Sequence, residues 1–261
     1  MDFGLAGKRA LVLGGSGGLG AASAMALARE GVRVTAAARD LDRIRRTYAE
    51  MGPQIAASIT PQTVDLADRG SVQALIDVCL DDGDVDILVN NGGGPPPGAT
   101  QDQTPETWEA AFATMAASLF HITAGLLPGM RRRGWGRIIT IGSSGVEQPL
   151  PNLALSNAIR GSIAGWSKTL ANEVAASGVT VNMVLPGRID TDRVRSLDAG
   201  RAQASGRSIS EVQAAALREI PAGRYGDAAE FGAVVAFLAS AQASYVTGSM
   251  VRVDGGLIRS I

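Results

Sequence analysis

Arg9-Ala10-Leu11-Val12-Leu13-Gly14-Gly15-Ser16-Gly17-Gly18-Leu19-Gly20 is an apolar strand run that breaks into glycines. Downstream, Ala21 to Glu30 is Ala-rich and free of proline, so it reads as a helix closed at Gly31. A strand turning sharply into a helix leaves free backbone N–H groups at the helix start. Glycines let a diphosphate approach those groups, and the helix dipole favours its charge. A second apolar strand, Val32 to Ala38, follows, and that context separates a dinucleotide loop from a plain turn.

The same alternation runs through the chain. Helix is expected over Leu41 to Met51, ended by Gly52-Pro53, strand over Thr63 to Leu66, and helix over Arg69 to Leu80. Val85 to Asn90 reads as a buried strand, followed by Asn91-Gly92-Gly93-Gly94 and the stiff Pro95-Pro96-Pro97-Gly98. A long helix runs from Thr104 to Arg133, a strand from Gly136 to Ile141, a second long helix from Leu153 to Ser177 and a strand from Val179 to Leu185. The polar, Arg-rich stretch 192–220 is expected to be a mobile helical lid over the substrate. Asp227 to Ala239 is a helix, and Met250 to Val253 the last strand. Strands alternating with helices imply a doubly wound α/β fold, a parallel sheet with helices on both faces. Ligands of such folds sit at the carboxyl ends of the strands. No repeat or linker divides the chain, so residues 1–261 read as one domain.

Composition bounds the function. The 261 residues are 46% hydrophobic, and Lys+Arg 24 against Asp+Glu 25 gives a net charge of -1. That balance points to neither a nucleic-acid nor a membrane partner. The single cysteine, Cys79, excludes an internal disulfide and reads as a buried hydrophobe. Asp81, Asp82, Asp84 and Asp86 read as a solvated turn, and no metal site is expected. No apolar run is judged long enough to span a bilayer and no leader pattern is evident, so a cytoplasmic protein is expected.

Several segments together resemble the short-chain dehydrogenase/reductase family, in pattern nearest its 3-oxoacyl-(acyl-carrier-protein) reductase branch. Leu13-Gly14 with Gly18-Leu19-Gly20 resembles the family's TGxxxGxG, with Leu13 in place of Thr. Asp65-Leu66 resembles the pair that contacts adenine, and Asn90-Asn91-Gly92-Gly93 stands for NNAG. Pro186 to Thr191 resembles the PGxxxT segment, whose Ile189 and Thr191 positions contact the nicotinamide carboxamide. Tyr245-Val246-Thr247-Gly248 and Val253-Asp254-Gly255-Gly256 resemble the C-terminal signature. The resemblance implies a Rossmann-type fold and a nicotinamide cofactor held by Gly14, Ser16, Gly17, Gly18, Leu19, Gly20, Arg39, Asp65, Leu66, Asn91, Gly92, Arg160, Ile189 and Thr191. It also implies a homo-oligomer, a tetramer or dimer, packed through the two long helices.

Cofactor choice has its own argument. An NAD site places a carboxylate at the end of the second strand to accept from the ribose hydroxyls. Here that end reads Ala36-Ala37-Ala38-Arg39. A guanidinium pairs bidentately with a 2′-phosphate, so NADP(H) is expected over NAD(H). The alternative is that Arg39 pairs with Asp40 or Asp42, or stacks on adenine.

The family's chemistry uses Asn, Ser, Tyr and Lys, the last two spaced YxxxK. Ser143 falls on the serine position. Counting on at the family spacing puts Ser156 at the tyrosine position, Arg160 at the lysine position, and Met115 at the asparagine position of the earlier long helix. A phenol titrates near ~10, whereas an alkyl hydroxyl is no acid in this range. Arg160 holds charge but relays no proton. The expected catalytic set is therefore Ser143, Ser156 and Arg160, with Arg160 and Arg188 forming a cationic floor. That floor suits an anionic or carrier-bound substrate, or an oxyanion developing during hydride addition. Three functions remain open: an NADP-dependent oxidoreductase on a carbonyl or hydroxyl substrate, a cofactor-binding scaffold or sensor, and a non-redox lyase or isomerase.

Overall fold

A computed structural model describes residues 2–261. Seven parallel strands form one sheet: β1 (Arg9–Leu13), β2 (Arg33–Ala38), β3 (Ile59–Thr63), β4 (Ile87–Asn90), β5 (Gly136–Ile141), β6 (Val179–Pro186) and β7 (Met250–Val253). Their order is β3-β2-β1-β4-β5-β6-β7. The helices are α1 (Gly18–Arg29), α2 (Leu41–Ala49), α3 (Pro53–Ala57), α4 (Arg69–Asp81), α5 (Pro105–Phe112), α6 (Ser118–Arg132), α7 (Ala154–Val174), α8 (Asp192–Ser205), α9 (Ile209–Glu219) and α10 (Ala228–Ala239).

The period of two along each strand sends alternate side chains to opposite faces. Leu11, Leu13, Leu88 and Ile138 join Ile76, Leu126 and Ile163 on one face, under α4, α6 and α7. Val12, Val34, Val89, Ile139 and Val184 join Leu27, Phe231 and Val235 on the other, under α1 and α10. Central strands are covered on both sides, which is why β1, β5 and β6 are near-continuous apolar runs. The strand order reverses between β1 and β4, and the crevice at their carboxyl ends is where such sheets bind ligands.

The structure revises four boundaries. The third strand is Ile59–Thr63, one segment earlier than the expected Thr63 to Leu66. Pro61 hides it in the sequence; β3 is an edge strand, and an edge tolerates a residue without an N–H. The helix expected to reach Met51 ends at Ala49, and Pro53, expected to stop it, opens the short α3 as its first residue. The helix expected over Thr104 to Arg133 is continuous but carries a π-turn at Ala113–Ala117. The 192–220 stretch is two helices, α8 and α9, the second opened by a Ser208/Glu211 capping box.

Against expectation, the span Pro105–Arg132 is long and apolar enough to cross a membrane by length and composition. It packs as a core helix: Leu119, Ile122, Leu126 and Met130 are buried against the sheet. Cys79 is buried on α4, and burial pushes its thiol up to about 11. The Asp cluster before β4 is taken up by arginines: Asp82 by Arg9, and Asp84 and Asp86 by Arg133.

Candidate dinucleotide and substrate site

The glycine loop is built for close approach. A Cβ at Gly20 would sit 2.3 Å from the Gly14 carbonyl oxygen and 2.8 Å from Asn91 Nδ2. The start of α1 thus presses on the loop, and Asn91 reaches across from the end of β4 to brace both. The α1 N-terminus has no side-chain cap and no acidic residue in its first turn. Its free N–H groups and positive dipole end suit a diphosphate. From α2, buried Tyr48 donates to the Gly15 carbonyl at 2.7 Å and Thr47 to that of Ser16 at 3.0 Å. Burial raises the Tyr48 phenol, so it stays a neutral donor. These residues fit a dinucleotide.

At the end of β2, Arg39 is exposed and makes no ion pair among the described residues. The alternative pairings are closed off: Asp40 caps α2 through the Arg43 N–H, and Asp42 takes Arg45. Arg43, which the sequence reading passed over, adds a second cation. Its Nη2 stands 3.0 Å from where a Gly17 Cβ would be, over the glycine loop, and pairs with Asp192 at 3.0 Å. No local pattern signals this, because the glycine loop lies before α1 and only the packing of α2 brings Arg43 over it.

The remaining predicted cofactor contacts cluster unevenly. The exposed Asp65 carboxylate accepts from the Ala67 N–H, and Leu66 approaches within 4.0 Å of where a Gly92 Cβ would be. Ile189 is buried and pairs with Gly226. Thr191 caps α8, accepting from the Val194 N–H at 3.4 Å, and its methyl faces Gly18.

Ser143 leaves β5 and accepts from the Gly145 N–H at 3.1 Å, so its own proton is free. Ser156 and Arg160 lie one turn apart on α7, hence on one face. Arg160 donates to the Ile141 carbonyl at the end of β5, at 2.9 Å. Burial and the nearby charge of Arg193 draw its guanidinium down to about 10. Met115 is buried at the centre of the π-turn.

The expected floor needs one correction. Arg188 is not a free cation. It pairs at 2.6 Å with Asp198, whose side chain is fully buried, and donates to the Tyr225 hydroxyl, which in turn donates to Asp198. Arg188 therefore anchors α8. The cation beside Arg160 is Arg193, whose Nη2 donates to the Pro95 carbonyl at 3.1 Å. His121 only meets Gln73 at the surface.

A family model described as Enoyl-(Acyl carrier protein) reductase matches residues 14–258. The chain belongs to the short-chain dehydrogenase/reductase family. It is an NAD(P)-dependent oxidoreductase of that family. It is 36% identical over 259 residues to the 3-oxoacyl-(acyl-carrier-protein) reductase FabG of Vibrio cholerae, covering 97% of this chain and 98% of the relative. The structure resembles that of L-sorbose reductase from Gluconobacter frateurii, complexed with NADPH and L-sorbose. There the TM-score is 0.93 and identity 30%, with 100% of both chains covered. An actinorhodin polyketide ketoreductase variant with NADPH gives a TM-score of 0.90 at 33% identity, covering 97% of this chain and 98% of that one.

Proposed function

We propose that the protein is an NADP(H)-dependent reductase or dehydrogenase acting on a carbonyl or hydroxyl substrate without the family's tyrosine–lysine relay. The observation that carries the cofactor choice is the end of β2, where Ala38 fills the position of the NAD-type carboxylate and Arg39 is exposed with no ion pair among the described residues. A guanidinium without a counter-ion favours a 2′-phosphate, and so NADPH over NADH.

When bound, the cofactor supplies the hydride. The chain's own residues then handle charge and proton. Hydride arriving at the carbonyl carbon leaves negative charge on oxygen. Arg160, tethered to Ile141 but with donors to spare, stabilises that charge. Ser143 donates its free O–H to the same oxygen, and water delivers the proton. Ser156 orients the substrate one turn from Arg160. The α8–α9 pair, residues 192–220, acts as the lid. Oligomerisation through the long helices is supported by Phe112, an exposed aromatic beside the Phe120–Trp166 stack.

Direct titration with NADPH and NADH tests the reading. NADPH should bind about tenfold to a hundredfold tighter, the value of one or two charge-assisted bonds, and Arg39→Ala should erase most of that margin. Equal affinities would overturn it. Product forming with no change in nicotinamide absorbance would favour the lyase or isomerase alternative.

A further inference from the structure

Most cations around the cleft are already neutralised. Arg195 pairs with Asp190 and Asp192, Arg43 with Asp192, and Arg188 with Asp198. Arg160 and Arg193 are different: among the described residues neither has a carboxylate within ion-pair distance, and each is held through a backbone carbonyl.

Both stand at one mouth. Asn90 pairs with Thr140 across β4 and β5, so the loop 91–95 leaves the sheet beside Ile141. Arg160 binds the Ile141 carbonyl from α7, and Arg193 binds the Pro95 carbonyl from the first turn of α8. Arg193 Nη2 lies 3.1 Å from where a Gly94 Cβ would be, and Gly93 has open space around its own. The proximity is electrostatic as well as topological, since Arg193 disfavours the charge on Arg160. Two like charges held together without a counter-ion repel, and a bound anion removes that repulsion. One cation comes from the body of the fold and one from the lid, so the anion would bridge the two.

We infer that the substrate carries an oxyanion, a carboxylate or a phosphate, gripped between Arg160 and Arg193 at the open glycines of loop 91–95. This rests on the hydride-transfer reading above and names its substrate class. A planar carboxylate or a phosphate takes parallel N–H donors from a guanidinium, and each charge-assisted bond discriminates against a neutral analogue.

The test is calorimetric titration of the NADPH complex with malonate and, separately, inorganic phosphate. At least one should bind with a Kd of about 1 mM or below. Arg193→Ala should weaken that binding about tenfold or more, the loss expected for one charge-assisted contact. Arg193→Lys, which keeps the charge and loses the fork, should restore part of it. NADPH affinity should stay unchanged in both variants. Which anion binds tells a carboxylate substrate from a phosphate ester. The inference is overturned if neither anion binds, if both bind wild type and Arg193→Ala equally, or if NADPH binding falls as much as anion binding. If NADPH itself does not bind, the anions are titrated into the free protein. Binding lost in Arg193→Ala then supports the oxyanion site while the cofactor reading fails.

Discussion

Replacing Asp198 with Ala removes the only carboxylate that Arg188 meets among the described residues. In the fold the Asp198 side chain is 0% exposed and that of Arg188 only 16%. Asp198 accepts from Arg188 at 2.6 Å and from the Tyr225 hydroxyl at 2.8 Å, so its loss strands a largely covered guanidinium and a half-buried phenol together. An uncompensated buried charge of this kind costs about 3–5 kcal/mol. At about 2 °C per kcal/mol for a chain of this length, Tm should fall by about 6–10 °C. The cost belongs to the broken pair and not to the pair's net worth, because desolvation offsets much of the attraction. The double variant Arg188→Met with Asp198→Leu should therefore recover most of the loss. Scanning calorimetry and urea unfolding of Arg188→Met, Asp198→Leu and the double measure the cycle, beside Asp198→Ala. Protease sensitivity within 192–220 should rise in Asp198→Ala, since α8 loses its anchor. A cost below about 1 kcal/mol for the single variant, or single costs that simply add in the double, would refute the reasoning.

Two further outcomes follow from the site. Gly20→Ala drives a Cβ to 2.3 Å from the Gly14 carbonyl oxygen, a backbone atom that cannot swing aside. It should destabilise the fold by about 1–3 kcal/mol and weaken NADPH binding more than tenfold; an unchanged Kd would refute the tight loop. Arg160 is drawn down to about 10, so it is charged below that pH and neutral above it. Hydride transfer should hold level from neutrality upward and fall as pH passes 10, and Arg160→Ala should be slow throughout with that fall absent.

The strand–glycine–helix opening and the apolar period determined the fold class, because each buried strand needs cover on both faces and the helices between strands supply it. They also located the cofactor end of the sheet. Strand β3 escaped the reading because a proline interrupted its pattern, and edge position, a tertiary property, is what permits Pro61 there. In the site, the family resemblance pointed to Ser143, Ser156 and Arg160, and the separation of four puts Ser156 and Arg160 on one face of α7. Partnership was beyond reach of the sequence. Arg188 and Arg193 are both arginines on one polar stretch, and only the packing of α8 gives Asp198 to the first and leaves the second facing Pro95. Arg43 and Tyr48 likewise acquire their roles from α2 folding back over the glycine loop. Local pattern decides which element forms; which charge is neutralised and which stays free depends on contacts between residues far apart in the chain, and those exist only once the sheet is assembled.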